Sequence, residues 1–305
     1  MGSTVVTIGT FDGIHIGHQA ILQRTGEIGQ AEHAITVAYT FALPPRFAIE
    51  SRGKKRYLLL PDQAKRKLLQ QYVAKVEQTD FMAVQHLSAK QFVRQILQEE
   101  LVTHTVVVGE HFRFGHKREG DVNMLQRIGK DAGIEVIVVP SICIHGTLVS
   151  STHIRSLITV GEIEDACAFL GRPPLLIGKV STGDHLGQKL GYPTANLVVD
   201  PSVLLPGDGI YLAHAFWSQG QGAGLVYIGT RPTLKKRALR CEIHLLSSPK
   251  EPLLEKVLEL HLLKKLRDDH RFPSLEDLRL QIAKDIAQAR TLLPAYNANP
   301  KPILA

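Results

Sequence analysis

Two histidines separated by an isoleucine and a glycine are the side chains of this sequence best placed to do chemistry. His15 and His18 stand at the end of the apolar run Val5–Ile14, and the stretch His18–Arg24 then has the apolar spacing of a helix. Imidazoles can donate hydrogen bonds to phosphate oxygens, and Gly17 lets the backbone approach a ligand closely. Open parallel sheets bind ligands where a strand ends and a helix begins. The position therefore indicates nucleotidyl transfer.

The first 170 residues alternate between strand-like and helix-like apolar patterns. Ala34–Phe41 is typical of a buried strand, whereas Asp62–Tyr72 spaces its apolar residues as a helix does. This alternation predicts an α/β fold, a doubly wound parallel sheet with helices on both faces. The other predicted elements of this half are the helix Ser88–Glu100, the strand Thr105–Val108, the helix Asp121–Ala132, the strand Glu135–Val139 and the helices Thr152–Thr159 and Glu162–Leu170.

The pattern changes after Gly171–Pro174. Short strands now follow one another with glycine and proline turns between them, which predicts a small antiparallel β-barrel. An amphipathic helix, Ser274–Leu293, closes the domain, and Ser274 is its predicted N-cap. The predicted barrel strands are Leu175–Val180, Ala195–Val199, Ile210–Phe216, Gly224–Ile228, Cys241–Leu246 and Val257–Leu263.

Composition narrows the class of protein. The net charge is +7, but the basic residues are spread along the chain without an accompanying nucleic-acid-binding motif, and the densest run, Arg52–Arg56, is interpreted as a loop. Cys143, Cys167 and Cys241 are odd in number and far apart, so they indicate neither a disulfide framework nor a metal site. Because no apolar stretch approaches the roughly 20 residues of a membrane span, we expect a soluble, cytoplasmic protein.

Several motifs occur together and in order: Gly9–His18, Val108–Gly115, Ser150–Arg155, Gly183–Asn196 and Cys241–Leu246. As a set they resemble the bifunctional prokaryotic riboflavin kinase/FMN adenylyltransferase family, also called FAD synthetase. The resemblance extends over nearly the whole chain. It implies a nucleotidyltransferase-like first half, a riboflavin kinase barrel in the second half, and the formation of FMN and then FAD.

By this resemblance, residues 1–172 form an adenylyltransferase domain that transfers AMP from ATP to the phosphate of FMN and releases pyrophosphate. His15 and His18 would contact the ATP phosphates and stabilise charge on the α-phosphate and the leaving group. A helix N-terminus and a guanidinium would hold the β- and γ-phosphates. The ligand-binding residues implied for this half are Gly9, Phe11, Gly17, Phe112, Phe114, Ser151, Thr152 and Arg155.

The resemblance also makes residues 173–295 a riboflavin kinase domain and residues 296–305 a C-terminal tail. Thr194 and Asn196 offer hard oxygen ligands for Mg²⁺. Glu242 would be the general base that takes the proton of the riboflavin 5′-hydroxyl, an assignment that rests on its position relative to Gly229–Thr233. Further implied ligand contacts are the phosphate-cradling glycines Gly183, Gly187 and Gly191, and Arg267 with Phe272 beside the flavin.

Four places depart from the family pattern, all in segments expected to contact flavin. His111 stands where Asp or Asn is usual, and Tyr227 stands where Asn is usual. The segment around Ala42–Leu43 has lost a Pro-His-Pro pattern, and a Tyr-Gly pair is missing around Pro252–Leu253.

The sequence thus predicts an enzyme that uses ATP, riboflavin, FMN and Mg²⁺, with small-molecule substrates and neither a nucleic-acid nor a membrane partner. Two alternatives stay open. One is a single-activity FMN adenylyltransferase whose kinase domain is degenerate. The other is a non-catalytic flavin- or nucleic-acid-binding protein.

Overall fold

The computed structural model describes residues 3–44, 58–184, 186–230, 240–296 and 301–304. The chain forms two compact units, of which the first comprises the described parts of Met1–Lys55 and Asp62–Ser151. The second comprises the described parts of Arg56–Pro61 and Thr152–Ala305. The basic run Arg52–Arg56 and positions 231–233 of the predicted Gly229–Thr233 motif lie outside the described residues.

The first unit contains a five-stranded parallel sheet in the order β3-β2-β1-β4-β5. Its strands are β1 (Thr4–Ile8), β2 (Ile35–Phe41), β3 (Lys75–Thr79), β4 (Thr103–Gly109) and β5 (Glu135–Val139). The helices between them are α1 (Ile16–Ala31), α2 (Asp62–Leu69), α3 (Phe81–Val84), α4 (Ala89–Phe92, which continues as a π-helix over Val93–Glu100), a 3₁₀ turn (His116–Arg118) and α5 (Val122–Asp131). A small hairpin, β6 (Cys143–Ile144) and β7 (Thr147–Leu148), follows β5.

Both faces of this sheet are buried. Val6 and Ile8 of β1 belong to the apolar cluster on one face, and Val5 packs with Ile28 and Val107 on the other. The order of the strands reverses at β1, because β2 lies on one side of it and β4 on the other. The predicted doubly wound parallel sheet is therefore confirmed, and its switch point is the end of β1, where ligands of such sheets bind.

The second unit contains a closed antiparallel barrel in the order β10-β11-β12-β9-β8-β13. Its strands are β8 (Leu175–Ser181), β9 (Ala195–Val199), β10 (Gly209–Trp217), β11 (Gly220–Gly229), β12 (Arg240–Leu245) and β13 (Val257–Asp268). The helices of this part are α6 (Ser151–Val160), α7 (Ile163–Leu170), α8 (Leu186–Lys189), α9 (Leu275–Leu292) and a final 3₁₀ turn (Leu293–Tyr296). No helix within the described residues is long and apolar enough to cross a membrane.

Helix α9 covers part of the outer face of the barrel. Leu258, Leu260 and Leu262 of β13 point into the barrel core, whereas Leu263 faces outward and packs in the cluster that contains Ala289 of α9. The predicted barrel and C-terminal helix are thus confirmed. So is the predicted cap, since Ser274 Oγ accepts the backbone N–H of Asp277 at 3.1 Å.

The structure adds elements that the apolar pattern does not indicate. Strand β3 was missed because its sequence, Lys75–Thr79, is mostly polar, as an edge strand allows. Helix α1 begins at Ile16, two residues before the predicted start, because His15 caps it.

A buried carboxylate holds the last described residues against the barrel. Glu259 lies on the outer side of β13, where its two oxygens accept the backbone N–H groups of Ile303 and Leu304, each at 2.7 Å. His261 Nε2 lies 2.6 Å from the same carboxylate. Burial raises the pKa of Glu259, but the hydrogen bonds from His261 and from the two backbone amides outweigh burial and leave this pKa below its usual value.

Replacing Glu259 with Gln should lower the free energy of unfolding of the second unit by about 1–3 kcal/mol at pH 7, since an amide satisfies these donors less well. The carboxylate contributes this stability above its unfolded pKa of about 4.3 and loses it as the pH falls through the lower folded pKa. Trp217, the single tryptophan of the chain, lies in the barrel core and reports unfolding in urea by fluorescence.

The matched control is Glu276→Gln, which changes an exposed carboxylate at the start of α9 and should cost far less stability. A difference between Glu259→Gln and the parent that is equally large at pH 7 and at about pH 3 would contradict the account.

Candidate active sites

The turn that follows β1 has an unusual backbone. Phe11 and Ile14 have positive φ values of 47° and 41°, and Gly13 between them has a φ of 84°. Both Phe11 and Ile14 are almost fully buried. Left-handed backbone costs free energy in a bulky or β-branched residue, and it persists where the surrounding packing holds it, often at functional sites.

This turn ends on His15, which caps helix α1. Its Nδ1 accepts the backbone N–H of His18 at 3.2 Å, so a neutral His15 carries its proton on Nε2. The rings of His15 and His18 stack with their centroids 3.6 Å apart. Gly17 permits this arrangement, because a Cβ there would come within 3.2 Å of the His15 ring.

One ring nitrogen of His18 has no hydrogen-bond partner among the described residues. This atom, Nδ1, is buried. Burial, and next the charge of His15, hold the pKa of His18 well below its ordinary value, so the ring is neutral at pH 7. The amides at the N-terminus of a helix attract phosphate, and a neutral imidazole beside them can donate a hydrogen bond to it.

Three other predicted residues of the first half lie on helix α6, and Gly9 lies in the turn that follows β1. Ser151 lies beside the turn, and its Oγ donates to the backbone carbonyl of Asp12 at 2.9 Å. Thr152 and Arg155 follow on the same helix, α6, in the part of the chain that belongs to the second unit. Gly9 packs against the ring of Phe11.

The aromatic pair of the Val108–Gly115 motif has mainly a packing role in the structure. Phe112 and Phe114 stack with centroids 5.6 Å apart, and Phe114 is buried in the apolar cluster of the sheet beside Phe92. A ligand contact by Phe114 stays a prediction, and the half-buried Phe112 is the more available ring.

The barrel unit has a cavity of about 160 Å³ between its outer face and helix α9. Sequence reasoning had marked several of its lining residues, and others were not expected. Its lining residues include Thr194, Tyr227, Glu242, Arg267, Asp269 and Phe272.

Glu242 is the buried carboxylate of this cavity. Strand pairing places it opposite Asn196 of β9 and opposite Tyr227 of β11. The hydroxyl of Thr194 lies 3.4 Å from Glu242 Oε2, and Arg240 Nη1 lies 3.7 Å from Glu242 Oε1. The barrel thus brings the predicted base together with both predicted metal ligands.

The glycine-containing segment before β9 packs closely against the predicted metal-binding residues Thr194 and Asn196. A Cβ at Gly183 would overlap the amide of Asn196, and a Cβ at Gly187 would come within 2.9 Å of the Thr194 hydroxyl. Gly191 has a φ of 85°, which favours glycine. Hydroxyl, amide and carboxylate oxygens are the donors that Mg²⁺ prefers, so this set of residues fits a magnesium ion.

His244 is a residue that sequence reasoning missed. Its Nδ1 lies 2.9 Å from the carbonyl oxygen of Pro193, next to Thr194, and its ring meets that of Tyr192 edge-on. The available signal was the period of two along β12, which places His244 on the same face as Glu242.

The far end of the cavity is built around Arg267. Its guanidinium bonds the buried carboxylate of Asp285 on α9 through Nε at 3.0 Å and Nη2 at 2.8 Å, and it lies 5.7 Å from the ring of Phe272. Arg267 and Phe272 thus lie close together, and their contact with flavin stays a prediction. No pattern in the sequence pointed to Asp285.

Comparison with known proteins matches both units. The FAD synthetase family model matches residues 1–153, and the riboflavin kinase family model matches residues 170–293. The bifunctional riboflavin kinase/FMN adenylyltransferase of Escherichia coli K12 is 34% identical over 300 residues, which cover 94% of this chain and 91% of that protein. The protein of the same name from Buchnera aphidicola subsp. Schizaphis graminum is 33% identical over 296 residues, covering 93% and 92%.

Among solved structures, the macrolide-efflux protein from Streptococcus pneumoniae is similar, with a TM-score of 0.84 and 27% identity over 95% of this chain and 94% of that one. The two family models match successive parts of the chain, and the curated relatives match nearly all of it. The chain therefore belongs to the bifunctional riboflavin kinase/FMN adenylyltransferase family.

Proposed function

We propose that this protein phosphorylates riboflavin to FMN with ATP and then adenylylates FMN to FAD with a second ATP. The observation that carries the proposal is that the buried Glu242 lines a cavity in one unit while the His15–His18 pair lies at a helix N-terminus in the other. We assign the adenylyltransfer to residues 1–172 and the kinase reaction to residues 173–295. The substrates are small molecules, and the cytoplasm is the expected location.

In the kinase site, Glu242 takes the proton of the riboflavin 5′-hydroxyl as that oxygen attacks the γ-phosphorus of ATP. The new bond joins the 5′-oxygen to phosphorus, the bond between the γ-phosphorus and the β–γ bridging oxygen breaks, and ADP leaves. Burial of Glu242 excludes water from the base, and Arg240 together with Thr194 holds its orientation. Mg²⁺ held by Thr194 and Asn196 would neutralise charge on the ATP phosphates.

In the adenylyltransferase site, a phosphate oxygen of FMN attacks the α-phosphorus of ATP and pyrophosphate leaves. His15 Nε2–H and the ring of His18 donate hydrogen bonds to phosphate oxygens, together with the N-terminal amides of α1. The stacking of the two rings at the start of α1 supports this role. Because the transferred group is negatively charged, fixed donors stabilise the transition state without any nucleophile from the protein.

His15→Ala and His18→Ala should each lower the rate of FAD formation from FMN by about 10²–10³-fold, since each removes a fixed donor to the reacting phosphates. FMN formation from riboflavin should stay at the parent rate, because that reaction takes place in the other unit. Chromatography of the flavins in tubes started with riboflavin or with FMN measures both rates. His104→Ala, an exposed histidine of β4, is the matched control. Equal loss of both activities would contradict the assignment of the two reactions to separate sites.

Glu242→Gln should give the reverse pattern. Loss of the general base should slow FMN formation from riboflavin by about 10²–10⁴-fold, while FAD formation from FMN stays unchanged. The exposed Glu276→Gln variant controls for loss of a carboxylate as such. If Glu242→Gln phosphorylated riboflavin at the parent rate, Glu242 would not be the general base.

A further inference from the structure

Among the described residues, three carboxylates line the kinase cavity, those of Glu242, Asp269 and Asp285, and a tyrosine orients that of Asp269. The hydroxyl of Tyr227 donates to Asp269 Oδ2 at 2.9 Å, and both residues line the cavity that contains Glu242. Gly229 leaves room for the pair, because a Cβ there would lie 2.7 Å from the Tyr227 hydroxyl and 2.9 Å from Asp269 Oδ2. The tyrosine that stands where the family usually has asparagine is therefore accommodated beside Asp269.

The two aspartates of this cavity differ in how they are paired. Asp285 accepts hydrogen bonds from the guanidinium of Arg267 and from Gln281, so its charge is balanced. The Tyr227 hydroxyl donates to Asp269, which forms no salt bridge among the residues that the structure describes. The Asp269 side chain therefore keeps acceptor positions for further hydrogen bonds, in a cavity that also has apolar walls.

Such a carboxylate suits a ligand with hydroxyl groups. Hydrogen bonds from a hydroxyl to a charged acceptor are stronger than those between neutral groups, and they discriminate against analogues that lack the hydroxyl. Riboflavin joins a flat apolar ring system to a polyol chain whose terminal hydroxyl must reach Glu242. Tyr227 lies directly opposite Glu242 in the β11–β12 ladder, so the pair lies on the side of the cavity where that chain must run.

We propose that Asp269 binds the hydroxyl groups of the ribityl chain and that Tyr227 is the positioning residue that holds Asp269 for this contact. This inference rests on the proposed kinase function of the same cavity. It assigns to Tyr227 a role in substrate recognition, in place of the loss of function that its departure from the family pattern would otherwise suggest.

The test compares two fluorescent flavins that share the ring system, riboflavin and lumiflavin, of which lumiflavin carries a methyl group instead of the ribityl chain. Asp269→Asn should weaken riboflavin binding about tenfold, and Tyr227→Phe about three- to fivefold. Binding of lumiflavin should stay within about twofold of the parent for both variants. In turnover, the KM for riboflavin should rise by the same factors while kcat and the KM for ATP change little.

Tyr296→Phe is the matched control, because the Tyr296 hydroxyl also donates to a carboxylate, that of Glu164, outside this cavity. Unchanged riboflavin affinity in both test variants, or an equal loss of affinity for the two flavins, would overturn the inference. Trp217 fluorescence checks that each variant is folded; if Asp269→Asn does not fold, the isosteric Tyr227→Phe decides the question.

The two proposals fail in different ways. A parent protein that binds riboflavin more tightly than lumiflavin, with the difference lost in the variants, supports the role of Asp269 even if no phosphate is transferred. If the parent phosphorylates riboflavin and the variants bind both flavins normally, the kinase function stands and the inference about Asp269 and Tyr227 is wrong. A parent that binds neither flavin overturns both.

Discussion

The register of one barrel strand is the constraint on which the kinase site depends. Strand β12 lies between β9 and β11, and its hydrogen-bond ladders set Glu242 opposite Asn196 on one side and opposite Tyr227 on the other. Because side chains alternate along a strand, a slip of one residue would turn Glu242 toward the barrel core and present Ile243, now fully buried there, to the cavity. Closure of the barrel protects against such a slip, since every strand is paired on both sides. The proposed base, the proposed amide ligand and the pocket wall are therefore placed by the two ladders of one strand.

The first unit positions its site by a different device. There the critical residues lie on a turn, and the turn is held in a left-handed backbone at Phe11 and Ile14 by burial of both side chains. That conformation ends on His15, whose capping hydrogen bond to the backbone of His18 starts helix α1 and aligns the two rings. The Nδ1 of His15 accepts the capping hydrogen bond, and His18 has a buried Nδ1 without a hydrogen-bond partner among the described residues.

Apolar periodicity was sufficient to predict the doubly wound sheet, the barrel and the cap at Ser274, because each of these depends on local spacing and burial. It missed the polar edge strand β3, whose stability comes from pairing with β2 rather than from its own pattern. The resemblance implied Glu242 as the base and Thr194 and Asn196 as Mg²⁺ ligands of one kinase domain, and the barrel brings the three residues together. Contacts between distant elements could not be predicted. Asp285 contacts Arg267 because α9 packs against the barrel. Asp269 contacts Tyr227 because the segment between β13 and α9 brings it beside β11.

One chain carries out two successive reactions on a flavin, phosphoryl transfer to riboflavin and then adenylyl transfer to FMN. The most direct test is chromatography of the flavins after the purified protein is incubated with riboflavin, ATP and Mg²⁺, with samples taken over time. The account predicts that FMN appears first and that FAD then accumulates at its expense. Accumulation of FMN without FAD would contradict the role of the His15–His18 site, and recovery of unchanged riboflavin would contradict the role of the Glu242 cavity.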